Sequence, residues 1–146
     1  MPTIKAFRMD GLGNKFVIVD RRKDIVNITK EKIIHLGKLE SFHREIGFDQ
    51  IIFIEKEIDK AFPITIFNSD GGEVSACGNG SRCVAYLLGK DLNTKEVKLK
   101  TNNRLLNAKI VGDLDVELAM GKPIFEWNKI PLSKNLDHSN ITLNIE

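Results

Sequence analysis

The apolar run Val84-Ala85-Tyr86-Leu87-Leu88 constrains this fold more than any other stretch of the chain. It follows a loop of small residues, Asp70-Gly71-Gly72 through Cys77-Gly78-Asn79-Gly80-Ser81. That order predicts a cysteine at the mouth of a helix that is apolar nearly all round. Such a helix has to be enclosed by other elements.

The enclosing elements read as strands. Ile4 to Met9 and Phe16 to Val19 are joined by Asp10-Gly11-Leu12-Gly13-Asn14. Gln50 to Ile54 and Phe62 to Phe67 are isoleucine- and phenylalanine-rich runs of strand type. Three alternating strands follow the helix, for which Gly89 is the expected C-terminal stop. They carry Val97, Leu99 and Thr101, then Leu106, Ala108 and Ile110, then Leu114, Val116, Leu118 and Met120. Asn102-Asn103 and Gly112-Asp113 are the expected turns. A second helix is predicted from Thr29, its N-cap, to about His43, with Ile33, Leu36, Leu39 and Phe42 along one side. Gly121 to Asn140 reads as irregular, and Ile141 to Glu146 alternates like a strand. The fold class is therefore α+β, a mostly antiparallel sheet wrapped around a central apolar helix.

Composition narrows the function classes. The 146 residues suit one domain or two small lobes, and 42% apolar content supports a core. The net charge of +2 is spread among mixed signs, and the densest basic run, Arg21-Arg22-Lys23, is flanked by Asp20 and Asp24. Nucleic-acid binding gains little from this. No apolar stretch approaches the ~20 residues of a membrane span, and Met1 to Lys5 lacks a secretory core. The expected location is cytoplasmic. Cys77, Cys83, His35, His43 and His138 have no metal-ligand spacing, so no metal is expected. A Cys77–Cys83 disulfide is not expected either. Six helical residues separate them by about 9 Å along the axis and about 240° around it.

Cys77 is the candidate catalytic residue. At a helix mouth a thiol meets free backbone N–H groups and the positive end of the dipole, a setting that holds anions and favours thiolate. The surrounding glycines let a ligand approach the backbone. Cys83, among Val84, Ala85 and Leu87, reads as a core residue. Gly11-Leu12-Gly13-Asn14 is not a dinucleotide fingerprint, since a strand follows it and the third glycine is missing. No Gly-Lys-Ser/Thr makes a phosphate loop. Asn14, Gln50 and Asn68 sit at the ends of predicted strands. Converging amides of this kind suit an amino-acid ligand, because an amide accepts from ammonium and donates to carboxylate.

Several motifs, in order, resemble diaminopimelate epimerases. They are Met9-Asp10-Gly11-Leu12-Gly13-Asn14-Lys15-Phe16-Val17-Ile18-Val19-Asp20, Gly47-Phe48-Asp49-Gln50, Phe67-Asn68-Ser69-Asp70-Gly71-Gly72-Glu73-Val74 with Cys77-Gly78-Asn79-Gly80-Ser81-Arg82-Cys83, and Met120-Gly121-Lys122-Pro123. The resemblance implies a cofactor-independent epimerase that interconverts LL- and meso-2,6-diaminopimelate, on the route to lysine and peptidoglycan. It implies two similar lobes with the substrate between them. Cys77 matches one of two catalytic thiols, Asn14, Gln50 and Asn68 match substrate-contacting amides, and Gly78 and Asn79 match the backbone site for the α-carboxylate. Inverting a carbon centre needs a base on one face and an acid on the other, which two thiols supply. Lys15 departs from the aspartate common at its position. No second Cys-Gly turn and no Glu-Arg pair follow Pro123.

The expected organisation is thus an N-terminal epimerase lobe over residues 1–123. Residues 124–146 would form an irregular connection and final strand leading towards a C-terminal lobe that this chain lacks. Such a lobe is expected to bind substrate weakly, to lack epimerase activity alone and to self-associate, as a homodimer, through its exposed cleft face. A proline or hydroxyproline racemase lobe and a non-catalytic binding module are the alternatives. A phenazine-type isomerase is expected to lack a cysteine at Cys77.

Overall fold

The computed structural model describes residues 4–39, 47–102 and 104–143. Among them eight strands share one curled sheet, a half-barrel accompanied by two helices. The first hairpin pairs β1 (Ala6–Gly11) with β2 (Asn14–Asp20). Leu12 and Gly13 form its two-residue turn, both with positive φ (52° and 87°). That geometry matches the right-handed twist of the strands. The Asp10 side chain accepts from the Gly13 N–H at 3.0 Å and holds the turn.

Helix α1 (Lys30–Lys38) carries the chain across to β3 (Gln50–Ile54), which lies parallel to β2. Thr29 is the N-cap, its side chain accepting from the Lys32 N–H at 3.3 Å. Leu39 closes the described helix, and the stretch expected to extend it to His43 lies outside the described residues. Strand β4 (Phe62–Asn68) returns antiparallel to β3, and the short β5 (Glu73–Val74) folds back on it. Helix α2 (Gly78–Leu92) then crosses to β6 (Glu96–Lys100), which runs parallel to the start of β4. Strands β7 (Leu105–Gly112) and β8 (Asp115–Ala119) complete an antiparallel meander.

Alternation along the strands divides the core. On β3, Ile52 and Ile54 join the cluster around Val84, Ala85 and Leu88 of α2, whereas Ile51 and Phe53 join Ile33 of α1. A strand buried on both faces needs an unbroken apolar run, which Ile51-Ile52-Phe53-Ile54 supplies. Helix α2 packs against β1, β2, β3, β6, β7 and β8.

Some local expectations need correction. Gly89 does not stop α2. The helix runs on to Leu92 and ends at Asn93, which takes the left-handed conformation at φ 50°. Gly89 is buried instead, because a Cβ there would stand 2.6 Å from Ile110 Cδ1. Close packing of helix on strand selects glycine at this position, not termination. The β7–β8 turn is Asp113-Leu114, one residue later than Gly112-Asp113, with Leu114 at φ 58°. A register shift between Ile110 and Gly112 displaces it. Leu114 and Met120 therefore fall outside β8 and are exposed. Thr101 N–H donates to Arg104 O at 2.9 Å across the β6–β7 turn, where Asn103 lies outside the described residues. Beyond β8 the chain is irregular apart from a 3-10 turn at Trp127–Lys129. Ile141 to Leu143 carries no regular structure, and residues 144–146 lie outside the described residues.

Candidate active site

The sheet topology gathers the sequence-predicted amides at one end. Strands β2 and β3 are parallel and start there, with Asn14 and Gln50 as their first residues. Strand β4 is antiparallel to β3 and finishes there with Asn68, in register with Gln50. Gln50 Nε2 donates to Asn68 Oδ1 at 2.9 Å. Gln50 Oε1 is buried with no protein partner, so it remains an unused acceptor.

The N-terminus of α2 meets the same end. Asn79 Nδ2 donates to Asn14 Oδ1 at 2.8 Å, tying the helix to the first hairpin. Gly11 makes that approach possible, because a Cβ there would lie 3.2 Å from Cys83 Sγ and 3.3 Å from the Asn79 carbonyl oxygen. Gly80 does the same over the strands, where a Cβ would stand 2.5 Å from Ile52 Cδ1 and 3.2 Å from Phe16 Cε1.

Cys77 is the N-cap of α2, in extended conformation, and its half-buried thiol accepts from the Gly80 N–H at 3.4 Å. The Cys77 carbonyl accepts from Ser81 N–H at 2.9 Å and closes the first helical turn. Cys77 thus stands where backbone donors are free by geometry. Gly78 faces Met120, whose Sδ would sit 3.2 Å from a Cβ added there. Cys83 lies six residues further along in the apolar core, and burial pushes its thiol pKa up. Both cysteines are free. Cys77 is half-buried and Cys83 buried.

Two residues of this end escaped the sequence reading as site members. The Asp49 carboxylate accepts from Lys15 N–H at 2.8 Å, and Asp49 N–H donates to Lys15 O at 2.9 Å. This double link anchors the residue after Asn14. Arg82 donates from Nη2 to Asn79 Oδ1 at 2.6 Å. Its signal was present, since residues three apart on a helix share a face. A hollow of about 760 Å³ elsewhere, lined by Glu96, Lys98, Asn107 and Glu117 on β6 to β8, includes neither Cys77 nor these amides. Among the described residues no group of three or more His, Cys, Asp or Glu is placed to hold a metal ion. No described helix is long and apolar enough to cross a membrane.

Comparison with known proteins agrees with the motif pattern. The family model described as diaminopimelate epimerase matches residues 6–126. The chain is 46% identical over 142 residues to the diaminopimelate epimerase of Pelagibacter ubique, covering 97% of this chain and 50% of that protein. It is 38% identical to the diaminopimelate epimerase of Acidiphilium cryptum, covering 93% and 48%. The chain thus spans about half the length of the curated relatives it matches. Among solved structures it is similar to a phenazine biosynthesis protein of the PhzF family from Bacillus anthracis. There the TM-score is 0.57 at 21% identity, over 77% of this chain and 38% of that one. A predicted epimerase from Pseudomonas aeruginosa gives a TM-score of 0.54 at 17% identity, over 75% and 40%. At these identities the structural likeness concerns the fold alone.

Proposed function

Because this chain belongs to the diaminopimelate epimerase family, we propose that it forms one lobe of an enzyme interconverting LL- and meso-2,6-diaminopimelate without a cofactor. In this reading residues 1–123 are the lobe, its sheet wrapped around α2, and residues 124–146 lead towards the second lobe. Cys77 is one of two acid/base thiols, and the other lies outside this chain. The observation that carries the reading is the Cys77 thiol capping α2 at the same sheet end as Asn14, Gln50, Asn68 and Asn79.

The chemistry follows from that placement. The Cys77 sulfur, as thiolate, takes the α-proton from one face, so the Cα–H bond breaks and an S–H bond forms. The electron pair left on Cα spreads into the adjacent carboxylate. The second thiol delivers a proton to the opposite face, and the roles exchange in the reverse direction. Developing charge on the carboxylate is stabilised by the donors of the α2 N-terminus, Gly78 and Asn79 among them, in a cleft closed by the second lobe. Asn14, Gln50 and Asn68 hold the rest of the amino acid. The enzyme works in the cytoplasm, and the lobe on its own self-associates as a homodimer through the cleft face that the second lobe would cover.

The test is α-hydrogen exchange from diaminopimelate in deuterated water, run on a protein carrying this chain and its second lobe. Replacement Cys77→Ser is expected to lower exchange by ~10²-fold or more while ligand binding persists. The isolated 146-residue chain is expected to show none. An undiminished rate in the Cys77→Ser protein, or clear turnover by the isolated chain, would sink the two-thiol reading. Loss of neither binding nor activity would leave the segment a structural one.

A further inference from the structure

We propose that Arg82 is a positioning residue that fixes the hydrogen-bond polarity of Asn79 and Asn14, so that Asn14 presents its NH2 group, a donor, to the ligand. The inference rests on reading this end of the sheet as the ligand site. It takes that reading further by assigning the sense of one contact and the residue that sets it.

The argument starts from what a guanidinium can do. Arg82 has five N–H donors and no acceptor. Its Nη2 lies 2.6 Å from the Asn79 side chain, so the atom facing it has to be the Asn79 oxygen. An asparagine amide cannot turn one end without turning the other. With Oδ1 held by Arg82, Nδ2 points away, and 2.8 Å off it meets the Asn14 side chain. Nδ2 donates, so the Asn14 atom it meets is the acceptor, Oδ1. The Asn14 oxygen is thereby used, and its two N–H donors remain. Asn14 is exposed at the mouth of the site, within reach of a ligand.

Without Arg82 the chain has two senses of similar energy. Asn14 could donate to Asn79 Oδ1 and show its carbonyl outward instead, which would suit an ammonium group. A cation at one end removes that degeneracy, because hydrogen bonds to charged groups are the stronger ones. Arg82 reaches Asn79 because both sit on one face of α2, three residues apart. Arg82, half-buried, also lines a cavity of about 290 Å³ with Asp10, Tyr86 and Asp115. The ligand group that Asn14 recognises is therefore a hydrogen-bond acceptor, which in a diamino-acid ligand with protonated amines is a carboxylate.

Side-chain amide NMR on the 15N-labelled 146-residue chain tests this directly. In the unaltered protein one Asn79 Nδ2 proton should exchange slowly with solvent, and the Asn14 pair should exchange as fast as in a free asparagine. Arg82→Met should abolish the Asn79 protection, and Arg82→Lys, which keeps a cationic donor, should restore it. In titrations with meso-diaminopimelate, Arg82→Met should weaken binding about tenfold, as expected for one charge-assisted hydrogen bond misdirected, and Arg82→Lys should recover most of the loss. A protected Asn14 pair beside a freely exchanging Asn79 overturns the proposal even if Arg82→Met fails to fold. So does a protection pattern indifferent to Arg82→Met. If the unaltered chain binds no diaminopimelate, the ligand reading fails, whereas the amide protons still decide whether Arg82 sets the polarity.

Discussion

Gly80 of α2 and Ile52 of β3 are so close that a Cβ on the glycine would stand 2.5 Å from Ile52 Cδ1. This contact sets how deep the N-terminus of α2 sinks towards the sheet, and with it the position of Cys77, whose sulfur accepts from the Gly80 N–H. Replacement Gly80→Ala should therefore cost stability despite the better helix propensity of alanine. Overpacking of a filled core costs about 1–3 kcal/mol, against a gain of up to about 1 from propensity. Urea unfolding should show a net loss, and an unchanged or raised midpoint would mean that the helix has room to shift.

The two cysteines should separate in chemical labelling. Cys77 is half-buried at a helix mouth, while Cys83 is 6% exposed with its thiol pKa raised by burial. Brief treatment with iodoacetamide at neutral pH should alkylate Cys77 and spare Cys83 until the protein is unfolded. Peptide mass mapping reads the result, and equal labelling of both under native conditions would contradict the placement of Cys83.

Asp49 should matter to the Asn14 loop through the backbone of Lys15. Replacement Asp49→Ala removes the acceptor of the Lys15 N–H. Amide hydrogen exchange at Lys15 should accelerate, and diaminopimelate binding should weaken because Asn14 is less well held. Asp49→Asn, which keeps an acceptor oxygen, should fall between the two. Unaltered exchange at Lys15 in the alanine variant would show that the strand pairing alone holds the loop.

Acid should remove a measurable part of the stability through Asp20. Arg22 donates to both carboxylate oxygens of Asp20, at 2.9 and 2.7 Å, and also to Asp91 at 2.7 Å. The Arg22 hydrogen bonds lower the Asp20 pKa, partly opposed by burial. A carboxylate held low in the folded state contributes stability that is present above its unfolded pKa of about 3.9 and lost as pH falls through the folded value. Urea unfolding at pH 7 and near pH 3 should thus show a larger loss for the unaltered protein than for Arg22→Met. The same loss in both would mean that the pair contributes nothing to the acid response.

Much of the fold was legible because strand burial leaves a period-two trace. Val97 and Leu99, and Leu106 and Ala108, are buried as their alternation predicts, and Ile51-Ile52-Phe53-Ile54 marks the strand covered on both faces. Thr29 capped α1 as its hydroxyl suggested. Gly89 misled for a physical reason. A glycine that ends a helix and a glycine that admits Ile110 look alike in sequence, and only the neighbour distinguishes them. The β7–β8 turn was displaced by the register shift at Ile110 and Gly112, a long-range pairing that local turn preference cannot see.

The sequence by itself determined the chemical inventory at this site: a thiol at a helix mouth, glycines on either side and amides at strand ends. Local rules suffice there, since capping, turn and alternation preferences act over a few residues. Only the tertiary structure decided which of those groups meet. Asn14 and Asn79 are 65 residues apart, and Gln50 and Asn68 are 18 apart. Their pairing depends on the parallel β2–β3 alignment and on the depth of α2 against the sheet. The same packing brought Asp49 to Lys15, 34 residues away, whereas Arg82 reaches Asn79 along one face of α2. Strand order and helix depth are products of core packing, and no short window of sequence records them.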